Sequence, residues 1–351
     1  MNFTLRSLPA GSLPYENIKS CKNMMLRLYE QIPFLAELPF LDPEDNVIRR
    51  TLENIPAIKY KDKKIMLPEV NSMEFLKASA ELDKAFSSTD INDITAYSST
   101  SPFYSLYKEM LARIKPQNTV IRLLGPFTFA DMVFNQNTAL LLSDKNYRKY
   151  IVQMMTVKAA WFINEIRTAS PDTKILVVFE EPHLYRFGSL KRQNSEINKD
   201  NITSLYTKLF SKIKKSGAYI CVESFEKCNW QLVLEAGVDM ISFDAYNNPN
   251  SLNIIAPRIN DFLAQGGYIN WAIIPATNEK AIRNSNAENI LSKFKKATET
   301  LAINGASLDA IYRNATISIQ GNLSKLPILF AEKALILENQ LVKRMPTSSR
   351  L

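Results

Sequence analysis

From Thr119 onward the chain alternates short, continuously apolar runs with stretches of helical period. The runs are "TVIRLLG" (Thr119 to Gly125), "KILVVFEEP" (Lys174 to Pro182), "AYICVES", "MISFDAY", "YINWAIIP" and "ATISIQG". The intervening segments predict helices between Thr128 and Thr168, Ile202 and Lys215, around Trp230, and over Leu252 to Ala264, Ala287 to Ile303 and Pro327 to Val342. Strands that are apolar on both faces and separated by helices signal a parallel sheet with crossover helices. Upstream, a strand is predicted near Leu5 to Leu13 and an amphipathic helix over about Glu16 to Gln31. A less regular region then runs to about Ser101, with a helix around Ser72 to Ala85. With the N-terminal strand, the count approaches eight, and such a sheet closes most naturally into a barrel. The expected architecture is a single (β/α)8 TIM barrel over residues 1–345, with an insertion or lid at about 41–101 and a disordered tail at 346–351.

Composition bounds this picture without changing it. A chain of 351 residues, 46% hydrophobic and 22% charged, can bury a large core. Its three cysteines, Cys21, Cys221 and Cys228, are too few for a disulfide framework. No segment reaches the roughly 18 uninterrupted apolar residues of a membrane span, and the start lacks the basic end and apolar run of a secretory signal. A cytoplasmic location and no membrane partner are the expectation. The formal charge of +8 raises the question of nucleic acid. The lysines lie in scattered groups such as "KYKDKK", "KIKK" and "KFKK", without an arginine-rich stripe interleaved with aromatics, so solvated helix faces are expected and nucleic acid is not. Attraction of an anionic substrate remains open.

In a barrel the chemistry belongs at the C-terminal ends of the strands. There the sequence sets Gly11 and Ser12, Gly125, Glu180 and Glu181, Glu223, Asp244, Pro275 and Gln320. No glycine-rich phosphate loop occurs, and a nucleotide-dependent reaction is not expected. Glu181, Glu223 and Asp244 are the candidate catalytic groups, since carboxylates converging on one mouth raise at least one pKa and permit acid–base work. The competing reading has them binding basic side chains or backbone amides at the rim. His183 is either a base at a strand end or a hydrogen-bonded loop histidine. Trp230, Tyr246, Phe225 and Trp271 either wall a pocket or fill the core. If Glu223 and Asp244 repel each other, a ligand ammonium group would relieve them, and Glu223→Gln would raise the stability of the unliganded protein.

Six blocks then carry a resemblance. "PAGSLPYENIKSC" followed by "IPFLAELPF", then "LLGPFTFA", "VVFEEPHLYRFGS", "NWQLVLEAGVDMISFDAY", "GGYINWAIIPATNE" and "ISIQGNLSKLP" resemble, in order and over nearly the whole chain, the short members of the cobalamin-independent methionine synthase and uroporphyrinogen decarboxylase superfamily. The resemblance implies a (β/α)8 barrel that either transfers a methyl group to a thiol or decarboxylates a porphyrin. For the methyl-transferring members it also implies a zinc ion held by a histidine-x-cysteine pair, an acidic residue and a final cysteine.

The zinc positions depart from that pattern. Anchored on Trp230, the histidine position is Glu223, the first cysteine is Phe225 and the last cysteine is Gln320; only the acidic ligand has a counterpart, Asp244. A phenyl ring coordinates nothing, and oxygen donors suit zinc–thiolate activation poorly. No zinc or other cofactor is therefore expected, the alternative being a displaced site of Cys221, Glu223 and Asp244. Gly11, Ser12, Glu180, His183, Trp230, Tyr246 and Gln320 are the candidate substrate-binding residues. Three function classes stay open: a methyltransferase-like enzyme acting on a small thiol or amino acid, with a methyl-carrier protein as its added partner; a metal-free decarboxylase-like lyase; and a non-catalytic ligand-binding relative.

Overall fold

Six of the apolar runs form strands almost where their sequence places them. In the computed structural model, which describes residues 5–87, 92–193, 195, 197–276 and 278–347, these are β3 (Asn118–Leu124), β4 (Lys174–Glu180), β5 (Tyr219–Ser224), β6 (Met240–Asp244), β7 (Tyr268–Pro275) and β8 (Ala315–Gln320). They pair in chain order as one parallel six-stranded sheet. Every residue of β3, β6, β7 and β8 is buried, as expected of strands covered on both faces. The preceding strands, β1 (Lys59–Lys61) and β2 (Lys64–Met66), form a separate antiparallel hairpin that the sequence did not announce.

The expected first strand over Leu5 to Leu13 is reduced to isolated bridges. Ser7 pairs with Ile317 on β8, Ser12 pairs with Glu37, and Phe34 pairs with Val120 on β3. Two N-terminal segments thus join the free edges of the six-stranded sheet and curl it around a common interior. Proline accounts for their brevity: Pro9, Pro14, Pro33 and Pro39 remove ladder donors from both segments. What remains are paired bonds on either side of the interruption. The Leu8 amide donates to the Ile317 carbonyl at 2.9 Å and the Glu37 amide to the Gly11 carbonyl at 2.8 Å.

The helices follow their periodicity with trimmed ends. Observed helices at Ile18–Leu28, Met73–Ser87, Lys199–Lys215, Ala287–Ile303 and Ile328–Val342 lie within or close to the predicted spans. Their starts carry local chemistry, as where Asn17 accepts from the Ser20 amide at 2.8 Å and Asn286 and Asn289 form a reciprocal capping box. The long helical stretch after Thr128 splits into Pro126–Met132, Thr138–Ser143 and Lys145–Ala169.

Described parts of region 41–101 pack against the end of β3 and against the long helix Lys145–Ala169. Thr51, in the helix Val47–Leu52, accepts from the Leu124 amide of β3 at 2.8 Å. Lys158, fully buried in the helix Lys145–Ala169, donates to the carbonyls of Glu53 at 2.6 Å, Tyr97 at 2.7 Å and Ser98 at 3.1 Å. An ammonium group has three protons, and here each meets an acceptor. Burial pushes the Lys158 pKa down to about 7, with Glu53 pulling the other way. Residues 348–351 of the expected tail lie outside the described residues. No helix among the described residues is long and apolar enough to cross a membrane.

Candidate functional site

The registers of the sheet bring one polar layer into the curled interior. Glu180 pairs with Glu223, Glu223 with Ser242, Ser242 with Asn270 and Asn270 with Thr316, so five strands contribute one polar residue each at the same level. Their side chains form a chain of hydrogen bonds. Ser242 Oγ donates to Glu223 Oε2 at 2.8 Å, Asn270 Nδ2 donates to Ser242 Oγ at 2.8 Å and to Ser318 Oγ at 2.7 Å, and Thr316 Oγ1 donates to Asn270 Oδ1 at 2.9 Å. Buried polar groups linked in this way hold one another in a single arrangement.

Arg122 organises the layer from β3. Its Nη1 donates to Glu223 Oε1 at 2.5 Å and to Glu180 Oε1 at 3.1 Å, and its Nη2 donates to the Pro9 carbonyl at 2.9 Å. Burial alone would lower the arginine's pKa, but Glu223 and Glu180 more than offset it, so the guanidinium is held firmly charged. Gly11 makes the approach possible, since a Cβ there would lie 2.7 Å from Arg122 Cδ.

Above this pair opens a cavity of about 200 Å³, lined among others by Gly11, Ser12, Glu37, Arg122, Glu180 and Glu223. Phe225 and Asn322 complete its rim. Three carboxyl groups and one guanidinium therefore line it. Glu37 is buried and meets Arg50 at 3.8 Å; Arg50 also faces Asp45 at 3.9 Å. Burial pushes the Glu37 pKa up to about 7; Arg50 and Arg122 oppose the rise, while Glu180 and Asp45 add to it. Glu180 is also raised, by burial and then by Glu223, against the pull of Arg122, and its side chain is 27% exposed into the opening.

The three expected catalytic carboxylates are not brought together. Glu223 lines the cavity but is bound to Arg122 and Ser242. Glu181 points away, sealed beneath Gly125 at the start of the helix Pro126–Met132. It accepts from the Phe127 amide at 3.0 Å, the Thr128 amide at 2.8 Å, the Thr128 hydroxyl at 2.6 Å and the Tyr206 hydroxyl at 2.6 Å. A Cβ on Gly125 would lie 2.2 Å from Glu181 Cδ, so glycine is required there. Glu181 is a helix-capping anion, not a mouth residue. Asp244 is held by its own loop, accepting from the Asn247 amide at 2.8 Å and the Asn247 side chain at 2.7 Å; Gln320 Nε2 adds a third bond at 3.3 Å. The expected repulsion between Glu223 and Asp244 is thus replaced by separate partners for each.

The remaining expected residues divide. Gly11, Ser12 and Glu180 line the cavity; Gln320 is not in its lining, and its Oε1 is buried without a hydrogen-bond partner among the described residues. Trp230 and Trp271 are core residues, Trp271 edge-on to Phe243 and Phe294. Tyr246 lies under the Lys293 ammonium, 4.3 Å from its ring centre, beside a separate polar hollow with Asn289. His183 Nδ1 meets Asp131 Oδ2 at 2.7 Å, and Arg186 holds the same carboxylate at 2.5 Å. Burial would raise the Asp131 pKa, but His183 and Arg186 outweigh it and the group is held low. That histidine is a half-exposed loop residue anchored by its hydrogen bond to Asp131.

The residues at the positions where the resemblance implies zinc ligands do not fit zinc. Glu223 is occupied by a guanidinium that would repel a dication, Phe225 has no donor, and Gln320 is turned to Asp244. The displaced alternative fares no better: Cys221 is fully buried, and burial raises its thiol pKa well above the ordinary value, against thiolate formation. Among the described residues no group of three or more His, Cys, Asp or Glu side chains is arranged to hold a metal.

Sequence reasoning missed Arg122 and Glu37. Arg122 did carry a signal, a lone charge at the centre of "TVIRLLG". Charges are almost never fully buried unless paired, so a partner had to exist. Glu37 in "FLAELPF" had a weaker signal, an acid between apolar residues in a segment too proline-rich to read as a strand.

No family model matches the sequence. A search of curated proteins gives no match either. Among solved structures, the chain is similar to a native Bacteroidetes-affiliated GH5 cellulase linked with a polysaccharide utilization locus, at 10% identity and a TM-score of 0.41, covering 76% of this chain and 82% of that one. At that score the likeness carries no argument about chemistry; the fold stands on the strand pairing itself, an α/β arrangement around a curled parallel sheet.

Proposed function

We propose that the protein is a (β/α)8 barrel of the methionine synthase and uroporphyrinogen decarboxylase type, its two proline-broken N-terminal segments serving as the remaining strands. In this reading the zinc–thiolate centre has given way to a buried guanidinium–carboxylate centre. The cavity binds a small molecule carrying an ammonium group, an amino acid or aminothiol, and Glu37 exchanges a proton with it. The observation that carries this reading is the charge balance of the cavity, where Glu37, Glu180 and Glu223 face Arg122 in the lining and Arg50, which is shared between Glu37 and Asp45. An ammonium group supplies further positive charge among these carboxyl groups. A volume of about 200 Å³ lies below the range of drug-sized ligands, which favours a small metabolite. A carboxyl group with a pKa of about 7 is poised to give or take a proton near neutrality.

A non-catalytic binding protein is the second reading, favoured by the capture of Asp244 and Glu181 in structural bonds. The two part on whether ligand recovered from the protein is chemically changed, which mass spectrometry reads directly. Binding itself is tested by calorimetry with cysteamine and L-homocysteine against 4-mercaptobutyrate, which keeps the thiol and lacks the amine. Both amines should bind, the carboxylate should not, and Glu180→Gln should weaken the amines by about tenfold. Equal behaviour of all three compounds would refute the ammonium assignment.

A further inference from the structure

A second, larger cleft lies on the outer helical layer, away from the mouth. It runs between the helices Met73–Ser87, Lys145–Ala169 and Lys199–Lys215 and encloses about 590 Å³. Its rim gathers Lys145, Arg148, Lys149, Lys208 and Lys212, with Asp83 the one carboxylate among the described residues that line it. Lysines that look scattered in sequence, including the first of "KIKK", are assembled here by two helices, Lys145–Ala169 and Lys199–Lys215. Asp83 neutralises only part of this charge: it pairs with Lys149 at 2.5 Å and accepts from Gln153. Arg148 reaches the carbonyls of Leu142 and Ser143, which fixes its position. Lys145 and Lys208 are exposed, and Lys212 lies 4.1 Å from the Phe86 ring centre, which holds its stem against the cleft. The floor is apolar, formed by Val152, Leu205 and the half-buried Phe86.

Lys145, Lys208 and Lys212 over an apolar floor are complementary to an organic anion rather than to a neutral partner. We propose that this cleft is a binding site for a phosphorylated small molecule, its phosphates held by Lys145, Lys208 and Lys212 and its organic body on Val152, Leu205 and Phe86. The volume matches a ligand of roughly nucleotide size, within the usual 300 to 1,000 Å³ of small-molecule sites. A dianionic phosphate recruits ammonium groups as point charges without demanding fixed geometry, which suits lysine. The site does not depend on the chemistry assigned to the mouth cavity, and it adds a second ligand class.

The test is equilibrium binding of ATP, AMP and inorganic triphosphate as probes, by calorimetry on the full chain at 50 and 500 mM salt. ATP should bind saturably, with triphosphate weaker for want of an organic body and AMP weaker for want of charge, and high salt should weaken all three. The double variant Lys208→Glu with Lys212→Glu, both surface positions, should weaken ATP by at least about tenfold with an unchanged circular dichroism spectrum. Glu37→Gln, in the other cavity, should leave ATP binding unchanged. Saturable binding that survives the double reversal, or no saturable binding of any probe at 50 mM salt, would overturn the proposal.

Discussion

Arg122 and Glu223 form a buried ion pair across the interior of the sheet, Nη1 to Oε1 at 2.5 Å, although their strands β3 and β5 are separated by β4. Glu180, on the intervening strand, meets the same guanidinium nitrogen at 3.1 Å. The positive group that the sequence seemed to require from a ligand is therefore in part supplied by the chain itself.

This reverses the expected effect of Glu223→Gln. Removing the charge leaves a buried guanidinium with Glu180 as its remaining carboxylate and weakens the bond from Ser242. Breaking such a pair from one side destabilises. A loss of about 2 kcal/mol is expected in urea unfolding at pH 7, less than for a fully abandoned charge because Glu180 remains. A gain in stability would restore the picture of two repelling carboxylates.

Glu181 should behave as a structural anchor. Glu181→Ala strands two amide donors and the Tyr206 hydroxyl in the core, at a cost of about 3 kcal/mol or more. Gly125→Ala should do comparable damage by pushing a methyl group into the same carboxyl group. Guanidinium or urea denaturation measures both. A Glu181→Ala protein of normal stability would return this residue to the list of functional candidates.

Lys158 pins the irregular region to the long helix through the three carbonyls of Glu53, Tyr97 and Ser98. Lys158→Met keeps the apolar stem and abandons all three acceptors, so a destabilisation of about 3 kcal/mol is expected. Proteolysis should then cut first within residues 53–98, while the six-stranded sheet stays protected. Uniform loss of protection across the chain would contradict this division.

The dependence on pH has a definite sign. Glu37 has its pKa raised by burial from 4.5 to about 7, so the folded protein keeps a proton that the unfolded chain has released. Its contribution is fully present below pH 4.5 and is lost as pH rises through about 7. Glu338, raised by burial to about 8, and Glu180, Glu181 and Asp45, also raised by burial, act in the same direction. Urea midpoints should fall between pH 5 and 8, and Glu37→Gln should flatten the fall by on the order of 1 to 3 kcal/mol.

The six strands were legible because each is a continuous apolar run buried on both faces, as in "YINWAIIP", which matches β7 residue for residue. The N-terminal segments were not, because Pro9, Pro14 and Pro33 leave bridges where a ladder would have shown a pattern. At the site, strand-end position led to Glu180, Glu223 and Ser12, which line the cavity. It failed for Glu181 because adjacent residues at a strand end face opposite sides, and a sequence does not say which of two consecutive glutamates turns inward. It failed for Arg122 because the rule looks only at strand ends, whereas this side chain rises from mid-strand to meet them. Tyr246 and Trp230 were drawn into the site by their aromatic character, though one sits beside another hollow and the other packs the core.

The most direct test of the central claim is proton-linked calorimetry of the mouth cavity. An ammonium group entering beside Glu37 should lower its pKa from about 7 and drive out its proton. Titrating cysteamine at pH 7 in phosphate and in Tris, whose ionisation heats differ, counts the protons released. The expected result is saturable binding with release of roughly half a proton per chain, abolished in Glu37→Gln. Identical heats in the two buffers, or no saturable binding, would contradict a cavity built to exchange a proton with an amine.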